Sequence, residues 1–375
     1  MINNSLGAMP RQAAQNLAAY AEAWATRGVR AWEDRWWEMA ADVGDRIARV
    51  VGAVRGTVSM HENVTTAHLV ALSCLRPSGR RRTIVCTAMD FPSMVYLFRE
   101  QRANGFELRV VPGEGDLTVS TDRVLDAIDD TTAVVACSHV LFRTSYIMDA
   151  AAIVARAHER GAAVILDTYQ SAGIIPVDVA ALGVDFAVGG CLKWLCGGPG
   201  NAFLYTRPDL RGKLRPAFTG WVSHPNPFAF DIEEESLRDD GLHMMNGTPA
   251  IPAYYAALAG LDIVNEVGVD RIRAKSKTLS ARLLARVDAA GFTSAASRDP
   301  ERLAGTVAVS VPDAALVART LKAGEFIVDY RPPVGVRISP HFYNTEEEVD
   351  AIMTAIESIV ATKQYHAGDS PSLVT

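Results

Sequence analysis

Cysteine is scarce in this 375-residue chain: there are five, an odd number, with no CxxC pair among them. That argues against a disulfide framework and leaves Cys74, Cys86, Cys137, Cys191 and Cys196 as expected buried, reduced thiols. The eight histidines form no HExxH and no Cys/His zinc spacing, so no metal is assigned. No apolar run approaches the length of a membrane span, and the opening MINNSLGAMPRQ has no basic stretch leading into an apolar one. The expectation is a cytoplasmic protein with no membrane partner. Blocks of positive charge are missing as well. The richest, Arg80–Arg82, is short and runs into an apolar segment, and the formal net charge is −6, which excludes nucleic acid as an expected partner. No GxSxG follows a strand, which argues against an α/β hydrolase, and no internal repeat marks a solenoid.

What is present is a globular composition, 49% apolar and 21% charged, on a chain long enough for one large domain with an appendage, or two domains. Residues 10–26 are alanine-rich with helical spacing, and 30–40 (RAWEDRWWEMA) add a tryptophan cluster expected on one helical face, packing against a second domain or subunit. From 83 to 207 short apolar runs recur: TIVCTAMD, FELRVVP, TAVVACSHV, AAVILD, DFAVGG and NAFLYTR. Helix-compatible segments such as 149–161 separate several of them, which predicts an α/β domain with a mostly parallel sheet. Loops rich in Pro and Gly fill 216–230 and 246–252; a helical region over 252–290 leads to GTVAVSV, EFIVDY and GVRISP. The expected division is an N-terminal helical segment 1–45, a large domain 46–265 and a small C-terminal α/β domain 266–375, with the last ten or so residues disordered.

Ligands bind outside the carboxyl ends of strands in an open parallel sheet, so polar residues that follow apolar runs come first. There are four such places: Asp90 with Phe91, Pro92 and Ser93; Ser138 with His139; Asp167 ahead of TYQS; and Lys193 in GGCLKWLCGGPGN. Alone, a strand-end aspartate reads as a turn or cap and a lysine as a solvated charge. Together they suit one chemistry. A lysine in a dry site is a shifted, nucleophilic amine that can form an imine with an aldehyde, and a buried aspartate can hold a pyridine nitrogen protonated. Pyridoxal 5′-phosphate (PLP) needs both. Its phosphate also needs backbone N–H groups and hydroxyls, which HENVTTAH supplies through Asn63, Val64, Thr65 and Thr66 at a helix start; the plain alternative there is an ordinary N-cap.

At this point the sequence resembles the fold-type-I PLP enzymes of the class V aminotransferase group, most of all the kynureninases, over residues of about 30 to 350. The 26-residue spacing from Asp167 to Lys193 matches that family. The resemblance implies that Asp167 faces the pyridine nitrogen, Gln170 sits near the ring oxygen, and Lys193 carries the imine. DFPS at 90–93 implies Phe91 stacked on the ring and Ser93 near the phosphate; SHVLFRTSYIMD matches the serine-led strand end of Ser138. GWVSH implicates Trp221, NGTP makes Thr248 a donor to the phosphate of the other subunit, and YRPPVGVRISPHFYN makes Arg337 the residue that binds the substrate α-carboxylate through a bidentate fork. A homodimer with shared active sites follows.

Two positions depart from the family. Leu192 stands where kynureninases place a tyrosine used in hydrolysis, and Gln170 stands where they have a histidine, as in cysteine desulfurase-like relatives. The last cysteine is Cys196, which leaves no C-terminal loop cysteine for persulfide chemistry. The reading is therefore a kynureninase-like enzyme acting on an α-amino acid through an imine and an α-carbanion. It makes or breaks a side-chain bond, with a specialised biosynthetic substrate. The alternatives are a class V aminotransferase and a non-catalytic relative of the fold.

Overall fold

The computed structural model describes residues 1–115 and 117–366; of the expected disordered tail, residues 367–375 lie outside them. Each of the six apolar runs between 83 and 207 forms a strand: β2 (Thr83–Thr87), β3 (Glu107–Val111), β4 (Thr132–Ser138), β5 (Ala163–Asp167), β6 (Phe186–Gly190) and β7 (Ala202–Thr206). A further strand, β1 (Val58–His61), was not read from the sequence because its four residues, VSMH, carry no extended apolar run. The seven make one sheet in the order β1-β7-β6-β5-β4-β2-β3. β2 to β6 run parallel, and β7 is antiparallel to both its neighbours, β1 and β6. Continuous apolar runs mark strands buried on both faces, and β2, β6 and β7 are buried along their whole length. The predicted α/β class with a mostly parallel sheet is what the chain adopts.

Helices close both faces. Asn63 caps the helix Val64–Ser73 by accepting from the Thr66 N–H at 3.0 Å, and Asp149 caps Ala150–Glu159 through the Ala152 N–H at 3.0 Å. The helical region near 252–290 is two helices, Ile251–Val267 and Val269–Ala289, meeting at Gly268 with φ of 83°. Beyond it β8 (Val307–Val309), β9 (Asp329–Arg331) and β10 (Gly335–Ile338) form an antiparallel sheet in the order β8-β10-β9. Its core of Val307, Val309, Val336 and Ile338 packs under the helices Val269–Ala289 and Glu346–Thr362.

The tryptophan cluster departs from the expectation of one helical face. A π-type turn over Trp32–Trp36 splits it. Trp36 is buried and stacks on Tyr20 at 5.5 Å, whereas Trp37 turns toward Trp221 and Phe228, with ring centres 5.1 and 4.9 Å away. The wider π turn rotates successive side chains off the stripe that α-helical spacing predicts.

Residues 1–7 thread along the small sheet into the large one. Ile2 bridges to Ser339, and the Gly7 N–H donates to the Leu192 carbonyl at 3.0 Å. A Cβ on Gly7 would lie 2.1 Å from the Lys193 carbonyl oxygen, so only glycine permits that approach.

Asp90 joins two strand ends. Its Oδ2 accepts from the Thr87 N–H and its Oδ1 from the Ser138 N–H, both at 2.7 Å, with the residue 2% exposed. Of the strand-end residues singled out, this carboxylate is fully used by the fold. Asp90→Ala leaves two buried donors unpaired, a loss of about 2–4 kcal/mol. Urea denaturation is expected to show a lower midpoint at an unchanged slope.

Candidate active site

The carboxyl ends of β4, β5 and β6 open on a cavity of about 200 Å³. The structure brings to it Asn63, Val64 and Thr65 from one helix start, Phe91 and Ser93 from a second, Ser138 from the end of β4, and Asp167, Gln170 and Lys193. Leu192 lines it as well. Nine of the residues expected at the site thus share one space, because parallel strands deliver their carboxyl ends to the same edge of the sheet.

Lys193 lies in the turn between β6 and β7, half-buried, and lines the cavity. Its Nζ is 4.5 Å from the Tyr169 ring centre and 5.8 Å from that of Phe91. This enclosure lowers its pKa to about 8 from 10.5, against the attraction of Asp167. Asp167 is 6% exposed, and burial raises it to about 6 from 3.8; the Tyr169 N–H and the Lys193 charge only partly offset that. Its Oδ1 accepts from the Tyr169 N–H at 2.7 Å, and Oδ2 has no partner among the described residues. Val64 and Thr65 occupy the first turn of their helix, where N–H groups have no intrahelical acceptor. His68, also on the cavity wall, donates from Nδ1 to the Val64 carbonyl at 2.9 Å; burial lowers it to about 4, so it is neutral, and its Nε2 has no partner among the described residues.

Gln170 is engaged by the fold, and three expected residues lie outside this cavity. The Gln170 amide lines the cavity but donates to the Asn4 carbonyl and accepts from Trp194 Nε1, both at 3.0 Å. Trp221 lies away from the cavity, against Trp37 and Phe228. Thr248 is exposed on the surface and does not reach the cavity of its own chain. Arg337, 3% exposed on β10, does not line the cavity either: Nε donates to Asp329 Oδ1 at 2.8 Å, Nη2 to Oδ2, and Nη1 to the Phe142 carbonyl.

Sequence reasoning missed Tyr169 and Phe142, which line the cavity, and Asp329, which holds Arg337. Tyr169 comes to Lys193 through strand register. Asp167 pairs with Val188, which places residue 169 opposite 190, and a Cβ on Gly190 would fall 2.6 Å from the Tyr169 ring. The ring fits because residue 190 has no side chain. That cross-strand pairing is the signal the sequence carried, and it is readable only once the register is known.

An aspartate raised to about 6 weakens the native state as pH climbs. The folded chain keeps its proton to higher pH than the unfolded one, so between pH 3.8 and about 6 the native state binds more protons and stability falls with rising pH. In cofactor-free protein Asp167→Asn is expected to be more stable than wild type at pH 8, by up to roughly 3 kcal/mol. The difference should vanish below about pH 4. Thermal melts across that range check it, and a wild type that outlasts the variant at pH 8 refutes the strained carboxylate.

Comparison with known proteins agrees with this geometry. A family model described as aminotransferase class-V matches residues 7–352. A kynureninase of Bacillus anthracis is 30% identical over 380 aligned residues, covering 96% of this chain and 88% of that protein. An uncharacterized aminotransferase of Bacillus subtilis (strain 168) is 32% identical over 317 residues, covering 84% and 82%. Among solved structures, the apo cysteine desulfurase from Thermococcus onnurineus NA1 has a TM-score of 0.84 at 22% identity, over 96% of this chain and 94% of that one, a likeness of fold.

Proposed function

From the chain's membership of the class-V aminotransferase family, which makes it a PLP-dependent lyase or transferase, we propose a kynureninase-like enzyme that makes or breaks a bond in the side chain of an α-amino acid. The observation that carries this reading is the meeting, in one cavity, of a lysine that burial lowers to about 8 and an aspartate with one oxygen lacking a hydrogen-bond partner among the described residues.

The residues fit the cofactor. Asp167 Oδ2 lacks the cationic donor that a protonated pyridine nitrogen would supply, and a carboxylate raised by burial is restored to charge by such a partner. The N–H groups of Val64 and Thr65, with the Ser93 hydroxyl, would hold the phosphate, and Phe91 offers a ring face. When bound, PLP supplies an electron sink for the charge left on the substrate α-carbon. The remaining work falls to the chain. Lys193, held near pH 8, would hold the cofactor at rest and take the α-proton when released. Asp167 would keep the ring nitrogen protonated, and Ser138 and Gln170 would border the ring. Leu192 offers no hydroxyl for hydrolysis of a side-chain ketone, so the substrate is a specialised biosynthetic amino acid.

Arg337 would take the α-carboxylate by sharing its guanidinium with Asp329. A class V aminotransferase is the second reading, favoured by the Bacillus subtilis relative. We also place the enzyme in the cytoplasm as a homodimer. No helix among the described residues is long and apolar enough to cross a membrane. The surface around Trp221 exposes Phe228, Phe230 at 73% and Ile232 at 92%, an apolar patch suited to a second copy. In such a dimer Thr248 and Trp221 would complete the site of the partner subunit.

Purified protein is expected to be yellow, to bleach with borohydride and to carry the reduced cofactor on Lys193 by mass spectrometry; Lys193→Ala should give no such adduct. Conversion of the cofactor to its amine form in a single turnover, reversed by a keto acid, would replace the lyase reading with transamination. Phe230→Asp with Ile232→Asp should shift sedimentation from dimer to monomer and reduce activity at least tenfold. A fully active monomer would overturn the shared site.

A further inference from the structure

Gln170 is held from two sides by groups that each bond in only one way. The Trp194 indole N–H can only donate, and it meets Gln170 Oε1 at 3.0 Å; the Asn4 main-chain carbonyl can only accept, and it meets Nε2 at 3.0 Å. The two contacts agree, so the amide has one orientation. Its nitrogen carries two hydrogens, and Asn4 takes one. The other has no acceptor among the described residues, on a side chain that lines the cavity and is 8% exposed.

Neither holder lines the cavity. Trp194 follows Lys193, is 1% exposed, and its carbonyl is bonded to His341 Nε2 at 2.8 Å. Asn4 belongs to residues 1–7, which are fastened at two ends. At the small sheet, the Ser339 N–H donates to the Met1 carbonyl at 3.0 Å and Asn3 Nδ2 to the Ser339 carbonyl at 2.7 Å. The Tyr343 hydroxyl closes this end by donating to Asn3 Oδ1 and accepting from the Ala8 N–H at 3.0 Å. At the cavity, the Gly7 N–H holds the carbonyl of Leu192, next to Lys193. Asn3 and Asn4 are 3% and 2% exposed, so the segment lies in the interior.

A nearly buried amide with one hydrogen unspent calls for an acceptor. PLP brings one: the oxygen on its ring, which is anionic once the lysine-bound nitrogen has lost its proton. We propose that residues 1–7, together with Trp194, form a strap that fixes Gln170 as a hydrogen-bond donor to that oxygen, which makes Asn4, Trp194 and Tyr343 positioning residues of the site. This rests on the PLP-enzyme reading. The strap stops the amide from turning its own oxygen toward the ring, where two acceptors would repel. Its far end lies on Ser339, two residues beyond Arg337, so the donor to the ring and the fork for the substrate carboxylate are set by one segment.

The colour change of the PLP-loaded protein with pH reads that contact, because a donor to the ring oxygen favours its anionic form and holds the midpoint down. Gln170→Leu is expected to raise the midpoint by about one pH unit. Trp194→Phe and Tyr343→Phe should raise it by less, and neither should add more than about 0.3 pH unit once Gln170→Leu is present. Tyr343→Phe removes only a hydroxyl outside the cavity, so it carries the test if Trp194→Phe does not fold. An unmoved midpoint in Gln170→Leu or in Tyr343→Phe, or shifts from the strap variants that persist undiminished without Gln170, would overturn the proposal. A protein that stays colourless with PLP would instead refute the cofactor reading, and the donor role with it. The strap is then read by hydrogen exchange in the cofactor-free protein: Tyr343→Phe should speed exchange over residues 189–196 at least about threefold, and unchanged exchange there would overturn the strap as well.

Discussion

A carboxylate enclosed at the end of a central parallel strand, with only one of its oxygens satisfied, is the constraint around which this structure is arranged. Asp167 is costly where it stands, and its environment answers that cost only in part: one backbone N–H, and a lysine whose own pKa enclosure lowers to about 8. Burial shifts each group toward its neutral form. The carboxylate oxygen without a hydrogen bond is a place that a cationic donor would stabilise. The rest of the architecture serves that placement. β5 brings the aspartate, β6 and its turn bring the lysine, and Asp90 ties the ends of β2 and β4 so that the wall beside them does not move.

The second organising feature is the seam between the large and small sheets. Arg337 on β10 grips Asp329 on β9 and also the Phe142 carbonyl of the large sheet's loop. Asn4 lies in the same seam, its amide oxygen facing Arg337 Nη2 at 2.8 Å when oriented by its hydrogen-bonding neighbours, and its backbone carbonyl accepts from Gln170. The N-terminal residues therefore link the cavity floor to the small sheet.

Legibility from sequence followed the range of the interactions. The strands were readable because a parallel sheet covered on both faces needs uninterrupted apolar runs, and the cap at Asn63 because it is local. β1 was not, since VSMH becomes a strand only by pairing with β7. The tryptophan cluster was placed on one helical face because regular spacing was assumed, and a π turn broke it. Arg337 reads as an open fork in the sequence, whereas its carboxylate partner comes from the neighbouring strand of the hairpin.

By itself, the sequence determined the α/β class, the order of the strands that carry polar residues at their ends, and the spacing from Asp167 to Lys193, because each is written in residue type and short-range pattern. Only the tertiary structure decided which charges are left over. Whether a side chain is paired, half-paired or alone depends on residues hundreds of positions away that burial brings into contact. It is this remainder, one carboxylate oxygen without a hydrogen bond beside a lysine whose pKa burial lowers, that marks what the cavity is suited to hold.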